Sequence, residues 1–233
     1  MIVKVCGMRN ADNIHAVANL GVDMLGFIFW PRSRRYVPMT PSGMGLLPDR
    51  AEASLASAAG MGRSPRRVGV FVDDTVQNIV TRVYNYHLDY VQLHGDETVT
   101  MIRNLKATLI PDIQPEIKII KALPVRDASD LARCGDYEGE VDFFLFDTKT
   151  PLAGGSGKHF DWSVLRHYEG HTPFLLSGGI GPGDVARLKA FHHPGMAGID
   201  LNSRFETAPG VKDVALLRTF LHEMGFVPAN NCQ

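Results

Sequence analysis

Short apolar runs alternate with amphipathic stretches along this chain, and that alternation limits the fold more than any other feature of the sequence. The runs fall at 2–6, 24–29, 67–72, 90–94, 116–123, 141–147, 173–178 and 196–202. Most are rich in Val, Ile and Phe, as strands buried on both faces are. Between them, residues 10–20, 75–86, 98–110, 128–133, 161–168, 183–191 and 212–224 carry helical patterns. In 75–86, Val76, Ile79, Val80 and Val83 fall at helical spacing. Asn10 stands where the N-cap of the first helix belongs, and Gly21 follows its end. Regular strand–helix alternation calls for parallel pairing through right-handed crossovers. An open doubly wound sheet would show about five or six strands. About eight units in one chain of this length favour a closed (β/α)8 barrel instead. The expectation is a single barrel domain over residues 1–233.

Composition narrows the partners. Hydrophobic residues make up 45% of the chain and the formal net charge is -1. That supports a sizeable core and gives no reason to expect nucleic acid or an anionic membrane as partner. No segment approaches the roughly 18 unbroken apolar residues of a membrane helix. Cys6, Cys134 and Cys232 are few and far apart, so no disulfide framework is implied and a reducing cytoplasm is expected. Whether the chain is a monomer or a homodimer is left open. Residues 38–66 are the least regular stretch, rich in Gly, Ala, Ser, Pro and Met. A helix within 51–59 and a mobile stretch over 60–65 are expected there.

In a parallel barrel the active site forms at the C-terminal ends of the strands. The residues that end the apolar runs are therefore the candidates. In the first run Lys4 and Cys6 share one face and Val3 and Val5 the other. The valines suit the layer between barrel and helices, so Lys4 and Cys6 should point inward. A cation beside Cys6 and a helix start nearby would lower its thiol pKa and favour thiolate; a plain buried core cysteine is the alternative. Asp147 closes the sixth run as either a loop cap or an acid whose pKa partial burial raises. Asp200 should face inward with Asn202, either paired with Lys4 or orienting a substrate. His94 ends the fourth run, as a pocket residue or a structural histidine. Asp73 ends the third.

Glycines mark an anion site. Gly178 and Gly179 follow the seventh run, where backbone N–H groups can approach a phosphate and a helix starting near Gly183 would add its positive end. Asn202 and Ser203 follow the eighth. The loops after strands seven and eight are the usual phosphate site of this fold. A further cluster, Gly154, Gly155 and Gly157, suggests a loop able to fold over the site. After the second run comes WPRSRRY, where Arg32 and Arg34 read as a solvated basic loop and an arginine could hold an anionic group. No His, Cys or carboxylate group shows metal-ligand spacing.

Taken together, the blocks VKVCGM, GFIFWPRSRRYV, VGVFVD, VQLHG, LFDTKTPLAGGSGKHFDW, LLSGGI and GIDLNSRFE followed by PGVKD resemble the phosphoribosylanthranilate isomerases in content and order. At Asp73 relatives often carry Asn, a difference expected to matter little. The resemblance implies an Amadori rearrangement of a small-molecule sugar phosphate in tryptophan biosynthesis, without metal, flavin or nicotinamide. It assigns Cys6 as general base, Asp147 as general acid and Arg35 as the partner of the anthranilate carboxylate. Gly178, Gly179, Asn202 and Ser203 would hold the phosphate, with His94 and Asp200 lining the pocket. Two rivals stay open. One is another barrel of sugar-phosphate chemistry, such as an indole-glycerol-phosphate synthase-like enzyme that would use Lys4. The other is a catalytically idle barrel that only binds a metabolite.

Overall fold

The computed structural model describes residues 1–38, 64–148 and 161–226. Eight parallel strands close into a barrel in sequence order, the last pairing with the first. They are β1 Ile2–Val5, β2 Met24–Ile28, β3 Arg66–Phe71, β4 Tyr90–Leu93, β5 Lys118–Val125, β6 Phe143–Thr148, β7 Phe174–Ser177 and β8 Met196–Leu201. Each apolar run became one strand. The helices α1 Ala11–Ala18, α2 Val76–Tyr86 and α3 Val99–Leu109 cover the first half. Asn10 caps α1 as expected, its side chain accepting from the Asn13 N–H at 2.9 Å, a contact typically worth about 1 kcal/mol. The helix expected within 51–59, most of the stretch 60–65, the Gly154, Gly155 and Gly157 cluster and Cys232 lie outside the described residues.

The second half winds more tightly than the sequence suggested. Ala128–Arg133 and Trp162–His167 are 3-10 turns, the first running into the one-turn helix α4 Cys134–Tyr137. In the latter turn the buried Trp162 and Leu165 lie three apart, matching the 3-10 repeat and not the α repeat. The 183–191 segment is likewise a 3-10 turn, Pro182–Asp184, followed by the six-residue α5 Val185–Ala190. A two-stranded antiparallel hairpin, β9 Glu206–Ala208 and β10 Val211–Lys212, turns at Gly210 before the last helix, α6 Val214–Met224. Its strands are too short to show alternation, and Pro209-Gly210 was the one turn signal available. Among the described residues no helix is long and apolar enough to cross a membrane.

Side-chain alternation sorts the core into two layers. Met24, Val68, Ile120, Ala122, Leu145 and Leu175 fill the barrel interior. Their outward neighbours, such as Leu25, Ile119, Phe144, Phe146 and Leu176, join the larger cluster beneath the helices. The inner plug ends short of the C-terminal rim, where the inward positions turn polar.

Candidate active site

A cavity of about 180 Å³ opens at that rim. Its walls include Cys6, His94, Asp147, Gly178, Gly179, Asp200, Asn202 and Ser203, along with Gln92 and Ser177. Of the candidates named from the sequence these meet in one space, while Arg35 and Asp73 stand outside its lining and Lys4 lies beneath it. A larger cavity of about 330 Å³ lies among the turns outside β5 and β6. There burial pushes the Cys134 thiol up to about 12, so that side chain is unreactive at ordinary pH. Size does not select the candidate site; the chemically capable side chains line the smaller cavity.

Register explains the floor of the site. In the β1–β8 pairing Lys4 stands opposite Asp200, and the Lys4 Nζ meets Asp200 Oδ1 at 2.8 Å with no exposure. The other Asp200 oxygen accepts from the Ser177 hydroxyl at 3.2 Å. Cys6, one step above Lys4 on the same face, is buried with its sulfur against Gly26: a Cβ on that glycine would lie 2.7 Å from Sγ. The expected depressed thiol pKa is corrected here. Burial pushes the Cys6 thiol above its usual range, outweighing the cations Lys4 and Lys212, which pull it down. Lys4 is held above the ordinary lysine range: burial works against its charge, but Asp200 and the neighbouring Cys6 favour it more.

Across the cavity Asp147 ends β6. Its Oδ2 lies 3.6 Å from His94 Nε2, beyond hydrogen-bond reach but close enough for charge to be felt. The Gln92 amide lies 2.9 Å from His94 Nδ1. With Gln92 donating there, His94 carries its proton on Nε2 and presents it to Asp147.

The end of the cavity expected to take an anion is built from backbone. Gly178 and Gly179 adopt φ of 95° and 69°, conformations that side chains disfavour, and a Cβ on Gly179 would meet open space. The expected helix start at Gly183 contributes less than the sequence suggested. It is a single 3-10 turn, and its own Asp184 takes the Gly181 N–H at 2.8 Å. Asn202 is oriented from behind: its Oδ1 accepts from the buried Lys212 ammonium at 2.8 Å, which turns its amide NH2 the other way. Ser203 opens the turn Ser203–Phe205.

Arg35 stands beside the cavity, its stem laid over Gly7. A Cβ on Gly7, whose φ is +77°, would come within 2.5 Å of Arg35 Cδ and 2.8 Å of Asn202 Oδ1. The guanidinium is gripped by Glu206, with Nε at 2.8 Å from Oε1 and Nη2 at 2.5 Å from Oε2. The same carboxylate accepts from Lys212 Nζ at 2.6 Å. Glu206 and Lys212 were not among the residues expected at the site, although both lie in blocks that carried the family resemblance. Arg32 and Arg34 are exposed, as expected. Asp73 lies outside the cavity and accepts from the Asp96 N–H at 2.7 Å with φ of 48°. An Asn there could accept the same bond and tolerates that conformation.

Comparison with known proteins agrees with this fold. The family model for N-(5'-phosphoribosyl)anthranilate isomerase matches residues 3–223. The isomerase of Parabacteroides distasonis is 43% identical over 224 residues, 96% of this chain and 93% of its own. That of Phocaeicola vulgatus is 44% identical, covering 96% and 98%. The crystal structure of the Thermotoga maritima isomerase superposes with a TM-score of 0.72 at 31% identity, covering 97% of this chain and 99% of that one. An isomerase solved with reduced 1-(o-carboxyphenylamino)-1-deoxyribulose 5-phosphate gives 0.70 at 27% identity, covering 97% and 99%. With a match along nearly the whole chain and a closed barrel carrying its polar groups at the rim, the chain belongs to the N-(5'-phosphoribosyl)anthranilate isomerase family.

Proposed function

We propose that this barrel, acting as one domain over 1–233, isomerises N-(5'-phosphoribosyl)anthranilate in tryptophan biosynthesis by general acid–base catalysis, with Asp147 as acid and Cys6 as base. The supporting observation is that two strands three apart around the barrel bring both to the lining of one small cavity that also holds the glycine pair. Asp147 gives its proton to the furanose ring oxygen, the C1–O bond breaks, and the anilino nitrogen lone pair forms the iminium. Cys6 thiolate then takes the proton from C2, and the C2–H electrons flow into the iminium. The resulting enolamine becomes the aminoketose when its C2 hydroxyl loses a proton and C1 gains one. Each positioned acid or base contributes typically about 10²–10⁴-fold. A thiol raised by burial is scarce as thiolate at neutral pH, but each thiolate formed is the stronger base.

Arg35 receives the anthranilate carboxylate, and Gly178, Gly179, Asn202 and Ser203 hold the phosphate. Remote anion binding of this kind fixes the ring between acid and base. The substrate is thus a small sugar phosphate and the setting cytoplasmic. Following the loss of phosphoribosylanthranilate fluorescence tests the reading. Wild-type protein is expected to consume it, and Cys6→Ala and Asp147→Asn to lose at least about 10²-fold in kcat while remaining folded. Near-normal turnover in either variant would reassign that residue. Tight binding of a product analogue without turnover by the wild type would make the barrel a binding protein.

A further inference from the structure

We propose that Glu206 is the positioning residue that aims Arg35, and through it sets the preference for a substrate carrying a carboxylate on its aromatic ring. This rests on the reading of Arg35 just given. A guanidinium has two edges that offer paired donors to a carboxylate. Glu206 occupies one of them, the edge formed by Nε and Nη2. The other, Nη1 with the second proton of Nη2, remains for a ligand, and among the described residues Nη1 has no hydrogen-bond partner. Its geometry suits a second carboxylate approached end-on.

Both ends of the arginine are fixed. Its stem lies against Gly7, where any larger residue would displace it. Its head is held by a carboxylate that cannot swing, because Glu206 Oε1 also accepts from Lys212 Nζ at 2.6 Å and from the Gly210 N–H at 3.2 Å. Lys212 is tied in turn to Asn202 Oδ1 at 2.8 Å. Glu206 and Lys212 are almost wholly buried, with side-chain exposures of 5% and 0%, while Arg35 keeps 22%. The arrangement therefore exposes one edge of one cation and buries what holds it. Two cations against one carboxylate leave a net positive charge beside the cavity. The short hairpin after β8 accounts for this contact, since it carries Glu206 and Lys212 to the loop after β2.

Binding constants for two ligands separate positioning from plain structural support. One is reduced 1-(o-carboxyphenylamino)-1-deoxyribulose 5-phosphate. The other is the same molecule without the ring carboxylate. The wild type is expected to prefer the first by tenfold or more, as a charge-assisted pair allows. Glu206→Gln should lose most of that preference by weakening the first ligand about tenfold while leaving the second within twofold. Glu206→Asp keeps the charge between the two cations but withdraws it by one methylene. It should show the same selective loss even if the glutamine variant folds poorly. Added to Arg35→Met, neither substitution should weaken the first ligand further. Equal weakening of both ligands, or wild-type constants in both variants, would overturn the proposal. If the wild type has no preference, or Arg35→Met leaves it intact, the reading of Arg35 fails and the proposal falls with it. That outcome is recognised without touching Glu206.

Discussion

Lys4 and Lys121 are both fully buried in the same barrel, each against one carboxylate at 2.8 and 2.9 Å, yet they face opposite ways. Lys4 points into the barrel, with Asp200 opposite it in register and the Cys6 sulfur above. Lys121 lies between the inward-facing Ile120 and Ala122 and so points out, under the helices. Its ammonium reaches Glu97, the Gly95 carbonyl at 2.6 Å and the face of Tyr137 at 5.5 Å. Glu97 also accepts from the Gly95 and Asp73 N–H groups, each at 3.0 Å. The outer pair thus ties the loop after β4 to the loop after β3. The inner pair touches Cys6, the proposed base. Buried ion pairs cost several kcal/mol in desolvation and are weak evidence for stability, so the difference between these two lies in what stands next to each.

The largest effects come from removing one partner. Lys121→Met should strand Glu97 and lower stability by about 3–5 kcal/mol, read by urea or thermal unfolding. The kcat of the folded protein should stay near wild type. Lys4→Met should cost about the same stability by stranding Asp200. It should also drop kcat by about 10²-fold, since the thiolate loses its nearest cation. Equal losses of activity in the two variants would erase the distinction between an inner, chemical pair and an outer, structural one.

How far the sequence disclosed this difference depends on the residue. Lys4 was legible because a lysine in an apolar strand, on the same face as Cys6, has to be paired and has to point inward. Lys121 carried the same signal, but its partner Glu97 sits in a loop with no periodicity to reveal it. Asp200 and Asn202 were legible because period-two alternation fixes their direction, and Asp147 because it closes an apolar run. Glu206 and Lys212 were not, since a pairing 171 residues away in sequence joins Arg35 to a hairpin too short to show a pattern. The thiol of Cys6 was misjudged for a physical reason. The sequence offered both the neighbouring cation and burial as a core cysteine, and only the folded structure shows that burial outweighs the cation.

Smaller shifts should appear in the pH dependence of kcat/KM, which reports groups of the free enzyme. The Cys6 thiol is raised, and the reaction needs it deprotonated while Asp147 keeps its proton, so the limb of the profile that reports the thiol should lie in the alkaline range, above that of an ordinary cysteine. The charged groups acting on that thiol are Lys4 and Lys212, which lower it, and Asp200, which raises it. Lys4→Met should therefore move the alkaline limb up. Asp200→Asn should move it down, and Lys121→Met should leave it in place. A limb that ignores both inner substitutions would show that another group carries it.

The smallest expected effect is on stability, when both partners are neutralised together. In Lys121→Met/Glu97→Gln no buried charge is stranded. The glutamine oxygen, placed where Oε1 now stands, still accepts from the Asp73 and Gly95 N–H groups. Most of the loss seen in Lys121→Met should return, leaving a net cost of about 1 kcal/mol and unchanged kinetics. Lys4→Met/Asp200→Asn should recover stability in the same way, because the asparagine oxygen can still accept from Ser177. It should not recover turnover, since the field at the thiol is gone however well the interior repacks. A double variant of the inner pair that regained wild-type kcat would mean that its charges serve the barrel alone, as those of the outer pair do.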